Sequence, residues 1–195
     1  MRGLEHIPWL YDLGMAIFEP LGLGRWRDCL VAGARGQVLE VGCGTGRTLP
    51  YYPKGTTVWG VDPDAPALRR ARRRAPQAPL SVARAEALPF PDHCFDTVVT
   101  SLSFCSVADV PQGLAELHRV LRQAGELRML EHVRSPGLAG HIQDRLQPAW
   151  TAISGGCHLN RETEAAVTAA GFRIDPESRR ARGVMRCFAA HKADG

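Results

Sequence analysis

Lysine is nearly missing from this chain. Lys54 and Lys192 are the only two, so the net charge of +4 is carried by arginine. No two cysteines form a Cys-x-x-Cys pair. The six (Cys29, Cys43, Cys94, Cys105, Cys157 and Cys187) are scattered, which excludes the local spacings of zinc and dithiol redox motifs, and no metal is expected. There is no apolar run of about eighteen residues and no signal peptide, so a cytoplasmic protein with no transmembrane segment is expected. Aromatic residues make up only 7%. None interleaves with Arg69, Arg70, Arg72, Arg73 and Arg74, so this run lacks the stacking groups of a single-strand nucleic-acid binder. It reads as the solvated face of a helix, and no nucleic-acid partner is expected.

What remains is an ordinary globular composition, 45% apolar and 23% charged over 195 residues, enough for one α/β domain. Short apolar runs at 37–41, 56–61, 80–83, 95–100 and 125–131 read as strands. Helical patterns fall between them at 65–75 and 110–121, with a further helix opening at Gly46 and running to about Tyr52. Residues 8–34 read as helical, with a break at Pro20-Leu21-Gly22. Further helices are expected around 139–150 and over 162–170, the latter closed by Gly171. Runs at 172–174 and 184–190 complete a seven-stranded, mostly parallel, doubly wound sheet whose last strand is antiparallel.

The sharpest motif is Val38-Leu39-Glu40-Val41-Gly42-Cys43-Gly44-Thr45-Gly46. Val58-Trp59-Gly60-Val61-Asp62 follows, its aspartate sixteen positions beyond Gly46. Glycines at a strand end let the backbone approach a ligand at the carboxyl edge of an open sheet. The third glycine comes one position too early for the dinucleotide pattern Gly-x-Gly-x-x-Gly. Glu40, directly ahead of the turn, would repel a pyrophosphate but suits an ammonium group. S-adenosylmethionine carries an amino group and a sulfonium and no phosphate, and Asp62 can accept ribose hydroxyls. A nicotinamide-dependent dehydrogenase is the alternative enzyme, and a cofactor-binding module without catalysis is the alternative outside enzymes.

With Val61-Asp62-Pro63, Ala85-Glu86-Ala87-Leu88-Pro89-Phe90, Phe95-Asp96-Thr97-Val98-Val99 and Glu116-Leu117-His118-Arg119-Val120-Leu121-Arg122 in order, the chain resembles the class I S-adenosylmethionine-dependent methyltransferases, of the ubiquinone/menaquinone-biosynthesis type. Met129-Leu130-Glu131-His132-Val133, Pro148-Ala149-Trp150 and Gly156-Cys157-His158-Leu159-Asn160-Arg161-Glu162 look like the thiol methyltransferase-like proteins, without the membrane anchor those often carry. The resemblance implies that Gly42, Cys43 and Gly44 meet the methionine moiety, Asp62 and Pro63 the ribose end, and Ala85 and Glu86 the adenine. Ser101 and Leu102, after the fourth strand, join this set. Arg84 stands where many relatives have an acidic residue.

Methyl transfer is an in-line displacement that needs alignment more than acid–base help. His132, at the end of the fifth strand, is the first candidate base, or else a histidine hydrogen-bonded in the strand end. His158 is the second. Tyr11 is a candidate lid residue for the methionine carboxylate. Cys105 and Ser106 are expected at the methyl end. Residues 1–34 form a helical lid, and 133–160 an acceptor-side insertion made apolar, with Trp9 and Phe104, by Leu146 and Trp150. The partner is then a small, apolar acceptor: a thiol, a quinol-like ring or a lipid amine. Oligomeric state stays open.

Overall fold

The computed structural model describes Asp12, Leu13, Ala16 and residues 22–154 and 156–193. Tyr11 and Trp9 lie outside the described residues, as does most of the N-terminal part of the helix expected over 8–34. Eight strands form one sheet: β1 (Gln37–Val41), β2 (Thr57–Asp62), β3 (Leu80–Val82), β4 (Phe95–Ser101), β5 (Leu121–His132), β6 (Phe172–Ile174), β7 (Arg180–Arg182) and β8 (Met185–Lys192). Their order is β3-β2-β1-β4-β5-β8-β6, with β7 also paired to β8. β1 pairs in parallel with β2 on one side and β4 on the other. The chain runs outward from β1 to β3 and then returns to β4. The carboxyl ends of β1 and β4 therefore frame the switch point where open sheets bind ligands. β8 runs antiparallel to β5, β6 and β7.

Among the described residues the named helices are α1 (Gly24–Val31), α2 (Ala65–Arg74), α3 (Val110–Val120), α4 (Gly137–Ser154) and α5 (Thr163–Ala169), and Asp12, Leu13 and Ala16 are helical as well. Neighbouring residues on a strand point to opposite faces, so each buried strand feeds two cores. Leu39, Val98 and Met129 pack with Leu114 and Leu117 of α3 and Val167 of α5. Val38, Val99 and Leu130 pack with Leu30 and Val31 of α1 on the other side. Asp109 caps α3 by accepting from Gln112 N at 3.0 Å. Gly171, with φ of 84°, ends the α5 region as its residue type predicts.

Two expectations are corrected. The helix foreseen from Gly46 to Tyr52 is a single tight turn, Leu49–Tyr51. Pro50 starts it, and Tyr52, which precedes Pro53, turns extended with ψ of 140°. The seven strands are eight, because Arg180–Arg182 pairs with β8 although all three residues are exposed. β6 and β7 thus share one edge of β8, above and below a short excursion.

The arginine run is only partly a solvated face. Arg70 Nη1 and Arg74 Nη2 reach Asp12 Oδ2 at 3.1 and 2.9 Å, and Arg47 Nε and Thr45 Oγ1 reach its Oδ1 at 3.0 and 2.7 Å. Burial pushes the Asp12 carboxyl up in pKa, but Arg74, Thr45 and Arg47 outweigh it and the net shift is downward. Arg69, Arg72 and Arg73 are exposed.

Candidate active site

The turn after β1 is built by its own hydrogen bonds. Gly42 N and Cys43 N donate to Val61 O at 2.8 and 3.0 Å, and Gly46 N donates to Cys43 O at 2.8 Å. Gly42, Gly44 and Gly46 all have positive φ, at 74°, 52° and 77°. They differ in what a side chain would meet. A Cβ on Gly42 would collide with Ser103, and one on Gly46 would come within 2.8 Å of the Ala71 Cβ. A Cβ on Gly44 would find nothing closer than Asp62 Oδ2 at 4.0 Å. It would point into a cavity of about 390 Å³.

That cavity is lined by Glu40, Gly42, Cys43, Gly44, Asp62, Pro63, Ala85, Glu86, Ser101 and Leu102, so all of the expected cofactor residues except Tyr11 meet there. Arg27, Arg47, Thr48, Ser103 and Ser106 join them. Leu102 has φ of 54°, a left-handed conformation that costs a leucine about 1–2 kcal/mol and turns the chain beside the cavity. Leu102 N is held by Leu130 O at 2.7 Å, and Ser103 Oγ donates to Val41 O at 3.1 Å.

Glu40 is 1% exposed, and its Oε2 has no hydrogen-bond partner. Burial drives its pKa up to about 7, although the nearby Tyr52 hydroxyl, Arg27 and Thr48 pull the other way. The Tyr52 hydroxyl lies beside it without closing a hydrogen bond of good geometry. Arg27 Nη1 donates to Thr48 Oγ1 at 2.7 Å and Ser101 Oγ at 3.2 Å, tying α1 to both sides of the switch point. The residue pattern held a signal for this. Arg27, Leu30, Val31 and Ala34 follow helical spacing, so an arginine rides on the buried face.

Asp62 Oδ2 accepts from Gly44 N and its Oδ1 from Asp64 N, both at 2.8 Å. It shapes the turn while lining the cavity, and burial raises its pKa despite these bonds. The Glu86 carboxylate accepts from Ala108 N at 3.2 Å and Asp109 N at 3.3 Å, and meets Arg84 at 3.5 Å. Burial pushes Glu86 up in pKa, but these backbone and arginine contacts bring it below its ordinary value. Arg84 is therefore the exposed partner of Glu86.

Neither candidate histidine lines the cavity. His132 ends β5 half-buried, with Nδ1 4.0 Å from Cys157 Sγ. His158 donates its backbone N–H to Cys105 O at 2.8 Å. Of the expected methyl-end pair, Ser106 lines the cavity, whereas Cys105 is buried against Cys157 and His132. Phe104, expected in an acceptor pocket, packs into the core instead. Leu146 and Trp150 are exposed on α4 rather than lining the cavity.

Glu131 was not given a role from the sequence, although an acid directly after Met129-Leu130 near the end of a strand was a cue. It is fully buried, and its Oε1 accepts from Thr100 Oγ1, Ser103 N and Phe104 N at 2.9, 3.2 and 3.1 Å. The carboxylate thus fixes the loop after β4. Glu131→Ala leaves these three donors unmet and is expected to destabilise the fold by about 2–4 kcal/mol, measured by urea unfolding. Glu131→Gln keeps an acceptor oxygen and should lose less.

The glycine turn and every cavity-lining residue except Arg27 fall within residues 39–129, which match the family described as "Methyltransferase domain". Residues 39–129 are a methyltransferase domain. The chain carrying it is 37% identical over 145 residues to thiol S-methyltransferase TMT1B of Rattus norvegicus, covering 69% of this chain and 59% of that protein. It is 38% identical over 123 residues to demethylmenaquinone methyltransferase of Thermus thermophilus, covering 57% of this chain and 56% of that one. The chain thus spans about three fifths of these curated relatives. Around the methyltransferase domain the fold matches a SAM-dependent methyltransferase structure from Thermotoga maritima with a TM-score of 0.72, at 20% identity over 97% of this chain and 99% of that one. A chain in a complex of the Haloferax volcanii Trm112 methyltransferase activator with a methyltransferase matches with a TM-score of 0.77 at 16% identity, all of both chains being covered. The fold is the Rossmann-like one of class I methyltransferases, and the donor of this family is S-adenosylmethionine. Among the described residues no helix is long and apolar enough to cross a membrane.

Proposed function

We propose that the chain transfers a methyl group from S-adenosylmethionine to a small apolar acceptor, with a thiol as the leading choice. The observation that carries this reading is the partnerless Oε2 of a buried Glu40 beside the one turn glycine whose Cβ position opens into the cavity. A buried carboxylate lacking a partner calls for a cationic group from a ligand. A pyrophosphate would meet repulsion there.

In this reading Glu40 receives the methionine ammonium, and the backbone of Gly42, Cys43 and Gly44 lies along the methionine chain. Asp62 and Pro63 take the ribose, Ala85 and Glu86 the adenine side, and Ser101 and Leu102 close the cavity behind it. Tyr11 would cover the carboxylate from a lid formed by the part of residues 1–34 that precedes α1. Bound S-adenosylmethionine supplies a sulfonium-activated methyl group. The chain's own part is to align the acceptor and exclude water, worth up to about 7–11 kcal/mol. Residues 133–160 form the acceptor side, where Leu138, Ile142, Leu146 and Trp150 repeat every four residues along α4 as an exposed apolar stripe. The thiol assignment is supported by the likeness to thiol S-methyltransferases over 69% of the chain. A reducing cytosol suits six cysteines that all stand free.

The test is methyl-labelled cofactor offered with an alkyl thiol, a quinol and a lipid amine. Transfer to the thiol at the highest kcat/KM is the expected result. Tight S-adenosylhomocysteine binding with no transfer to any acceptor would make the chain a binding module. Thermal protection by NADH but not by S-adenosylhomocysteine would make it a dehydrogenase.

A further inference from the structure

Three side chains that are distant in sequence converge beside the cavity. Cys105 follows β4, His132 ends β5 and Cys157 follows α4, and one donor atom of each lies within 4.8 Å of the others. Both cysteines are buried, at 2% and 7% exposure, while His132 is half-buried and open to solvent on one side. The segments bearing them are tied together. His158 N donates to Cys105 O, Gln147 Nε2 to Cys157 O at 2.9 Å, and Arg161 Nη1 to Phe104 O at 2.6 Å. The spacings of the cysteines in sequence, 52 residues apart, hid this grouping.

Two sulfurs and an imidazole, with no carboxylate among the three, form a soft donor set that suits zinc-like cations and not magnesium or calcium. Zinc–sulfur bonds of about 2.3 Å in a tetrahedron set the two sulfurs about 3.7 Å apart. The three donor atoms already lie within 4.8 Å of one another, so side-chain rotation suffices to bring them to that spacing. We propose that Cys105, His132 and Cys157 bind a soft d10 cation of the Zn²⁺ class. On binding, whatever thiol proton remains on the pair leaves to solvent, and the two thiolates balance the charge of the ion. Buried Glu131 and the Arg161 guanidinium both lie close enough to act on the charge of the cluster. Three protein ligands leave the fourth position to water or an added thiol, as in catalytic zinc sites. The site does not depend on which molecule receives the methyl group.

Co²⁺ is the probe, titrated into the reduced full chain. One Co²⁺ per chain is expected, with a sulfur-to-cobalt charge-transfer band in the near ultraviolet that Zn²⁺ abolishes. Cys157→Ser and Cys105→Ser should each lose the band, and Cys29→Ser should keep it. A small thiol added to the Co²⁺ form should intensify the band; an unchanged band would overturn the open fourth position. Should a cysteine variant fail to fold by circular dichroism, His132→Gln, at a half-buried position, decides the matter: at least tenfold weaker Co²⁺ binding is expected. No charge-transfer band at saturating Co²⁺, a band that survives in folded Cys157→Ser, or unaltered affinity in His132→Gln overturns the site.

Discussion

Gly44→Val is expected to weaken S-adenosylhomocysteine binding by more than about 100-fold while the chain stays folded. The three glycines of the turn separate this effect cleanly. At position 42 a side chain meets Ser103, and at 46 it meets Ala71 and Leu49, so substitution there damages packing. At position 44 the side chain enters the cavity, where the valine methyls occupy ligand space. The fold loses only the strain of a β-branched residue at φ of 52°, about 2 kcal/mol, or a fall of several degrees in Tm. Calorimetric titration with S-adenosylhomocysteine checks it. Native affinity in a folded Gly44→Val protein would remove the turn from the cofactor site. Gly46→Val should instead lower Tm far more.

Removing the Glu40 carboxylate should be as costly to binding. Glu40→Ala deletes the partner of the ligand's ammonium and leaves the positive field of Arg27 in the cavity wall, a loss of about 100-fold by analogy with truncated buried charge pairs. The native residue also makes binding depend on pH. In the unliganded protein burial holds Glu40 at about 7, against an ordinary value of 4.5, so it is largely protonated at pH 6. Arg27, Thr48 and Tyr52 pull that value down, and Asp62 pushes it up. An ammonium favours the carboxylate, so binding expels the proton. Affinity should then rise with pH up to about 7, by at most tenfold per unit, and level off above it. The unliganded fold moves the opposite way. Because the folded pKa is raised, this group's contribution to stability falls as pH rises from 4.5 to about 7. Glu40→Gln should flatten both curves between pH 5.5 and 7.5. A pH-independent affinity in the native protein would show that no proton leaves Glu40 on binding.

The lining of the cavity was legible because its residues are marked locally. Glu40 to Gly46 and Asp62 each sit at the end of a strand whose apolar run announces it, and parallel pairing does the rest. The switch point followed from the alternation of strands and helices. What stayed hidden depends on contacts across the fold. Glu131 meets Thr100 and Phe104, and Cys157 meets Cys105, with no spacing to mark either. β7 was invisible for a different reason: Arg-Ala-Arg is three residues long and buries none of them, and only the partner strand makes it one. The false helix at Gly46 came from weighing a glycine-turn motif above Pro50 and Pro53.

The grip of Thr45, Arg47, Arg70 and Arg74 on Asp12 also constrains how this protein can change by descent. Four positions on two separate stretches of chain share the one carboxylate of Asp12. If Asp12 mutates first, the guanidinium groups that met at its carboxylate lose that shared anion, and like charges at such range repel. If an arginine mutates first, the others still hold the aspartate. Lineages that abandon this clasp should therefore shed arginines before the acid. A relative with a neutral residue at 12 but all three arginines intact should be rarer than one with Asp12 and a single arginine.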